Sequence, residues 1–148
     1  MRIAGRLITK GADPSYIIDE TFYKKTFAQN KALARALDTA ELWLDGAVIG
    51  SVITEKDFEE LGIGSGDLDG IVDQLRVTDG VEAAVFLYEA PEGKCKVSMR
   101  ANGSVDVSRI AREFGGGGHV KAAGCTVSGG WREIIDQIAG RIAEQLEH

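Results

Sequence analysis

The sequence predicts an α/β fold of the α+β kind: one mixed β-sheet with helices packed against it. Three observations carry this. Strand-like runs recur at Ala47–Ile53, Val81–Tyr88 and Lys94–Ala101. Helical patterns stand between and after them, so that from residue 40 the order reads ββααββαβα, an alternation that a mixed sheet with packed helices satisfies. And 148 residues with 44% hydrophobic and 27% charged side chains form an ordinary globular mixture. A chain of that length buries about two-thirds of its unfolded surface and needs no disulfide or metal to fold.

The elements follow in chain order. Residues 1–12 carry Ile3, Leu7 and Ile8 on a helical stripe ended by Gly11. Asp13-Pro14 starts a second helix, with Asp as N-cap and Pro in the first turn, continued by Tyr16, Ile17, Ile18, Thr21 and Phe22. Lys24 to Leu37 is a third. A helical pattern that begins abruptly at Met1 reads as the tail of a longer chain, so residues 1–38 are expected to be a linker from a preceding domain. Residues 39–146 then form the domain proper. Residues 147–148 look like a remnant of an expression tag, which leaves His119 as the informative histidine.

Within 39–146, Ala40–Leu44 is strand-like, Asp45-Gly46 is a tight hairpin signal and Ala47–Ile53 is the returning strand. Thr54 caps a short helix, Glu55 to Leu61, stopped by Gly62. Gly64 to Gly70 reads as a mobile loop entering a helix from Ile71 to Leu75. Strands Val81–Tyr88 and Lys94–Ala101 flank a turn at Pro91-Glu92-Gly93. Asp106 caps a helix from Val107 to Phe114, and the four glycines Gly115–Gly118 follow as a loop before His119. A short helical turn and then a strand occupy Ala122–Val127. Trp131–Leu146 is an amphipathic helix with Ile134, Ile135, Ile138, Ile142 and Leu146 on one face.

Charge and glycine narrow the function. Seventeen basic against 23 acidic residues give a net charge of −6, which argues against coating duplex nucleic acid. The charge is uneven. Six basic and two acidic side chains lie between Gly93 and Lys121, leaving 11 basic and 21 acidic residues elsewhere. A locally cationic segment that also holds the glycine run suits a small anionic ligand such as a phosphate or nucleotide. Backbone N–H groups of a glycine run can cradle an anion. By alternation Lys96, Ser98 and Arg100 share one face of their strand, and a guanidinium there can clasp a phosphate or stack on a base.

Other chemistry is poorly supported. Cys95 and Cys125 match no zinc spacing and read as two ordinary thiols of an intracellular protein. The acids Asp67, Asp69 and Asp73 lack the further ligands of a calcium loop, so capping and solvation explain them better. No Asp-His or His-x-His cluster is present, so no metal site is expected in this chain. There is no run of 18 apolar residues and no apolar signal core at the N-terminus, and the protein is expected to be cytoplasmic.

Three segments together resemble a known family: Val97-Ser98-Met99-Arg100, Val105-Asp106-Val107-Ser108-Arg109-Ile110-Ala111, and Phe114-Gly115-Gly116-Gly117-Gly118-His119-Val120-Lys121-Ala122-Ala123-Gly124. They are similar to the DHHA1 domain, the C-terminal substrate-binding domain of DHH-family phosphoesterases, in its nanoRNase branch of oligoribonucleases and phosphoadenosine-phosphate (pAp) phosphatases, often labelled exopolyphosphatase-related. The resemblance covers residues 40–146. It implies a partner DHH domain that carries two manganese ions on Asp and His ligands, whose Asp-His-His triplet does not occur here. The chain is therefore expected to hold no cofactor of its own, to bind a small nucleotide or short single-stranded oligoribonucleotide, and to be inactive alone. Carried over by position, Ser98 and Arg100 would contact the phosphate or base. Gly116, Gly117 and Gly118 would present backbone, and His119 would reach the scissile phosphate. One departure is Ala101, where the family often has Ser. The alternatives are an isolated interaction or dimerisation domain, and the substrate domain of a RecJ-like single-strand exonuclease. Duplex nucleic acid and membranes are not expected partners, and a homodimer is compatible with the sequence.

Overall fold

The computed structural model describes residues 9–11 and 13–148; the first expected helix therefore lies almost wholly outside the described residues. A short helix α1, Pro14–Ile18, opens on the Asp13 carboxylate, which accepts from the Ser15 N–H at 2.9 Å. It runs into a π-helical turn, Asp19–Tyr23. Helix α2, Phe27–Asp38, begins at a capping box in which Thr26 and Gln29 satisfy each other's backbone N–H groups.

Six strands form one sheet: β1 (Glu41–Trp43), β2 (Val48–Ile53), β3 (Ala83–Ala90), β4 (Lys94–Ala101), β5 (Gly117–His119) and β6 (Ala122–Ser128), in the order β1-β2-β3-β4-β6-β5. All neighbours are antiparallel except β2 and β3. That parallel pair requires a crossover, supplied by helices α3 (Glu55–Leu61) and α4 (Ile71–Arg76) with a 3-10 turn, Ser65–Leu68, between them. Residues 64–70, expected as a mobile loop, thus contain a turn whose Leu68 is buried. Thr54 and Gly62 bound α3 as expected, Gly62 in the left-handed conformation at φ 61°. Helix α5 (Val107–Glu113) starts on Asp106, whose carboxylate accepts from Ser108 and Arg109. Helix α6 (Trp131–Leu146) closes the chain.

Two cores flank the sheet. On one face, α5 and α6 cover Val48, Val52, Val85, Leu87, Val97, Met99 and Cys125 with Ile110, Ile134, Ile135, Ile138 and Ile142. Leu146, expected on this stripe, is exposed because the helix runs past the sheet. On the other face, α2, α3 and α4 cover Ile49, Ile53, Ala84 and Phe86 with Ile71, Leu75 and their neighbours. The apolar part of that second core stops at β3; α4 reaches on to the Arg100 end of β4, and among the described residues no helix covers the same face of β6 and β5.

Two expectations fail at the glycine run. It is not a plain loop: Gly117–His119 forms edge strand β5, paired with β6 as Gly117↔Gly124, Gly118↔Ala123 and His119↔Ala122. And Ala122–Ser128 is strand throughout, without a leading helical turn. The hairpin closes on Val120-Lys121, and its pairing wins over the flexibility of glycine because β6, already paired with β4 on one side, offers its other edge of backbone N–H and C=O groups to β5.

Candidate functional site

The uncovered face is ordered in rows by strand register. Ala84, Arg100, Ala122 and His119 lie side by side across β3, β4, β6 and β5; the next row is Phe86, Ser98, Gly124 and Gly117; the third is Tyr88, Lys96 and Thr126. Strand spacing puts the Arg100 and His119 backbones about 10 Å apart, and rows are about 6.7 Å apart. Along the middle row the side chains shrink from Phe to Ser to Gly to Gly. The result is a hollow of about 460 Å³ walled by Tyr88, Lys96, Ser98, Gly116, Gly124 and Thr126. Arg100 and His119 stand one row away from it.

The structure therefore brings Ser98, Arg100, Gly117 and His119 to one face, as the alternation in β4 anticipated. His119 is exposed and, like Lys96 and Ser98, makes no side-chain hydrogen bond among the described residues. Arg100 is held: its Nε donates to Asp73 Oδ1 at 3.0 Å and its Nη1 to the Met99 carbonyl at 3.1 Å.

The glycines divide by cause. Gly115, at φ 78°, ends α5, and the Gly115 and Gly116 N–H groups donate back to the Arg112 and Ala111 carbonyls. A Cβ at Gly116 would stand 2.1 Å from the Gly124 carbonyl oxygen, and one at Gly118 would stand 2.5 Å from that of Ala122. Gly124 is similarly tight, 2.8 Å from the Val97 oxygen. These three are glycines because strands pack backbone to backbone there. Gly117 differs: a Cβ would meet no atom within 4 Å. The protein's own packing gives no reason for its missing side chain.

The cationic segment counted in the sequence does not converge on this face. Arg109 and Arg112 ride on α5, which covers the opposite face of the sheet, and Arg109 lines a separate hollow with Asp106, Glu113 and Arg141. Lys94 pairs with Glu92 at 3.3 Å, and the Lys121 ammonium is spent on the Gly103 carbonyl. Lys96 and Arg100 remain, with His119 beside them on the face. The reason is alternation: residues adjacent in sequence are distributed to both sides of a sheet and to the helices behind it. Ala101 is likewise buried in the core on the far face, so a hydroxyl at that position would not reach the site.

Sequence reasoning missed Asp73 as a partner of Arg100, since 27 residues separate them. It also passed over Thr126, for which the strand pattern was the available signal. Asp67, read as a capping acid, does accept the Gly64 N–H at 2.8 Å. Among the described residues no group of three or more His, Cys, Asp or Glu side chains is placed to hold a metal ion. Burial pushes both thiols, Cys95 and Cys125, up from their ordinary value, and the Glu89 charge adds to the shift at Cys95, both against thiolate formation. No helix among the described residues is long and apolar enough to cross a membrane.

Comparison with known proteins places this geometry. Over 146 residues, 99% of this chain, it is 30% identical to the bifunctional oligoribonuclease and PAP phosphatase NrnA of Thermus thermophilus, and it spans 42% of that protein. It is 26% identical over 120 residues, 81% of the chain, to the cyclic-di-AMP phosphodiesterase PdeA of Listeria monocytogenes, of which it spans 17%. The chain thus covers less than half the length of these relatives. The crystal structure of an exopolyphosphatase-related protein from Bacteroides fragilis has the same fold, with a TM-score of 0.87 at 24% identity, covering 99% of this chain and 44% of that one. Residues 45–147, from the hairpin turn through the last helix, match the DHHA1 domain family, and the chain belongs to that family.

Proposed function

We propose that this chain grips a small nucleotide or a short single-stranded oligoribonucleotide for a DHH-family phosphoesterase, and that the cutting metal ions, expected to be manganese, belong to a domain outside it. The observation that carries the reading is the uncovered face on which Ser98, Arg100, Gly117 and His119 stand together, with Gly117 bare of a side chain for no internal reason. A phosphate fits beside the Ser98 hydroxyl and the Arg100 guanidinium, which donate to its oxygens. The Gly117 position lets a ligand approach the edge-strand backbone closely. His119, on the outer strand, is assigned to the phosphate being cleaved, where the catalytic domain closes over the sheet. Gly116 and Gly118 serve this site indirectly, by seating β5 against β6.

The relatives support the ligand class, since their names specify oligoribonucleotides, PAP and cyclic di-AMP, all short anionic nucleotides. The stretch up to the start of α2 suits a linker to the catalytic domain: Tyr16, Phe22, Tyr23 and Phe27 are each more than 60% exposed, an apolar surface that a neighbouring domain would cover, whereas Ala32 and Ala36 of α2 are buried in the second core.

The test is a titration of isotope-labelled protein with adenosine 3′,5′-bisphosphate and with a dinucleotide, read by amide chemical shifts. Weak binding is expected, with shifts concentrated at Ser98, Arg100, Gly117 and His119. Absence of any shift there at millimolar ligand would overturn the proposal.

A further inference from the structure

Arg100 is one of two rungs that tie β4 to α4. In the first rung its Nε donates to Asp73 Oδ1 at 3.0 Å. The second is made by Asn102, the residue just past the end of β4. The Asn102 Nδ2 donates to the Arg76 carbonyl at 3.0 Å and to that of Val81 at 2.8 Å, and Arg76 Nη1 returns a bond to Asn102 Oδ1 at 3.2 Å. Asp73 and Arg76 are three apart on a helix and so share a face; Arg100, at the end of β4, and Asn102, just beyond it, both bond to that helix. The helix cannot slide along the strand without breaking both rungs. Beneath it Ile71, Val72 and Leu75 are buried, which fixes its rotation as well.

The guanidinium is thus held at Nε by Asp73 and at Nη1 by the Met99 carbonyl, while Nη2 makes no bond to a described residue. Asp73 reaches it from α4, which packs mainly on β3 and on the adjoining end of β4 and has no comparable contact with β6 or β5. The opposite side is the one on which β6 and β5 lie, with His119 in the same row.

We propose that Asp73 is a positioning residue for Arg100: it fixes the guanidinium with its free end toward β6 and β5, and its negative charge closes the β3 side to an anion. The inference rests on the proposed function and specifies where on the sheet the phosphate sits. Two physical effects make it testable, because they have opposite signs. A carboxylate next to an anion site repels the anion, so removing Asp73 should tighten binding if repulsion is all it does. An arginine that has lost its anchor must freeze more rotamers to bind, so removing Asp73 should weaken binding if anchoring dominates.

Four forms of this chain separate the readings: wild type, Asp73→Asn, Asp73→Ala and Arg100→Ala, each titrated with adenosine 3′,5′-bisphosphate. Asp73→Asn keeps an oxygen acceptor for the Nε–H and removes the charge, so its Kd should equal or fall below that of wild type. Asp73→Ala removes the acceptor, and its Kd should rise about two- to fivefold, the range a half-exposed ion pair commands. The Arg100 Nε–Hε resonance should be resolved in wild type and Asp73→Asn and averaged in Asp73→Ala, a change that a purely structural role elsewhere would not produce. An Asp73→Ala form that binds as tightly as wild type, or more tightly, overturns the inference and leaves the functional reading intact. Unchanged binding by Arg100→Ala, or none by wild type, overturns the functional reading itself, and the inference with it.

Discussion

The face of the sheet that carries the candidate site has two halves built from the same pleat and treated in opposite ways. Over β2 and β3, the inward positions are Ile49, Ile53, Ala84 and Phe86, sealed by Ile71, Leu75 and Leu68 from the helices above. Over β4, β6 and β5, the equivalent positions are Lys96, Ser98, Arg100, Gly124, Thr126, Gly117 and His119; α4 reaches only Arg100 among them, and no other helix of the described residues covers the rest. The boundary falls between Phe86 and Ser98, which are direct cross-strand neighbours. A half-covered sheet has to place polar and small residues where its cover ends, and that placement is also what makes a ligand site. The covered half supplies stability, the open half is the one proposed to recognise a nucleotide, and Asp73 joins them.

This contrast can be broken from the covered side first. Leu75→Ala removes a fully buried side chain from the smaller core and should cost about 2–5 kcal/mol in chemical denaturation, the range for such truncations. A loss under about 1 kcal/mol would mean that the cover is only loosely packed. At the open half, Gly116→Ala and Gly118→Ala force a Cβ against the β6 backbone and should each cost about 1–3 kcal/mol. Gly117→Ala, two strands from the cover, should change stability by less than about 0.5 kcal/mol and yet weaken nucleotide binding. Equal stability losses at all three glycines would erase the distinction between packing and ligand glycines.

A smaller effect tests how the cover is attached. The Asp57 carboxylate at the start of α3 takes bonds from the Thr54 amide and hydroxyl, each at 2.9 Å, and pairs with Arg35 of α2. Burial by itself pushes the Asp57 carboxyl up, but the Thr54 bonds and the Arg35 charge outweigh it and hold the group below the usual carboxylate range. A carboxylate lowered in the folded state contributes stability above its unfolded value, about 3.9, and that contribution is lost as pH falls through the lower folded value. Asp57→Asn should therefore cost about 1–2 kcal/mol near neutrality. The gap to wild type should close on acidification; a gap that stays constant down to pH 2 would show that the charge is not what matters.

Much of this was legible in the residues. Capping at Thr54 and Asp106, the glycine stop at Gly62, the alternation of β4 and the isoleucine stripe of α6 are local patterns. They depend on hydrogen bonds and periodicities spanning a few residues, and each is found where its pattern put it. Strand β5 was not legible, because glycine carries no strand preference of its own; only the approach of β6 makes Gly117–His119 a strand. The glycine excess alone did not tell packing from recognition. Four glycines in a row look alike in sequence and have three different causes in space: a left-handed helix end, backbone crowding against β6, and an open position at Gly117.

The sequence by itself determined the alternation of elements, the caps that start and stop the helices, and the presence of Ser98, Arg100 and His119 near a glycine run. Only the tertiary structure decided which half of the sheet is left bare, that the cations at Arg109 and Arg112 belong to a helix on the opposite face, and that Asp73 holds Arg100 from 27 residues away. The reason is range. Local patterns are written by neighbours along the chain, whereas register and cover are set by which apolar faces find each other.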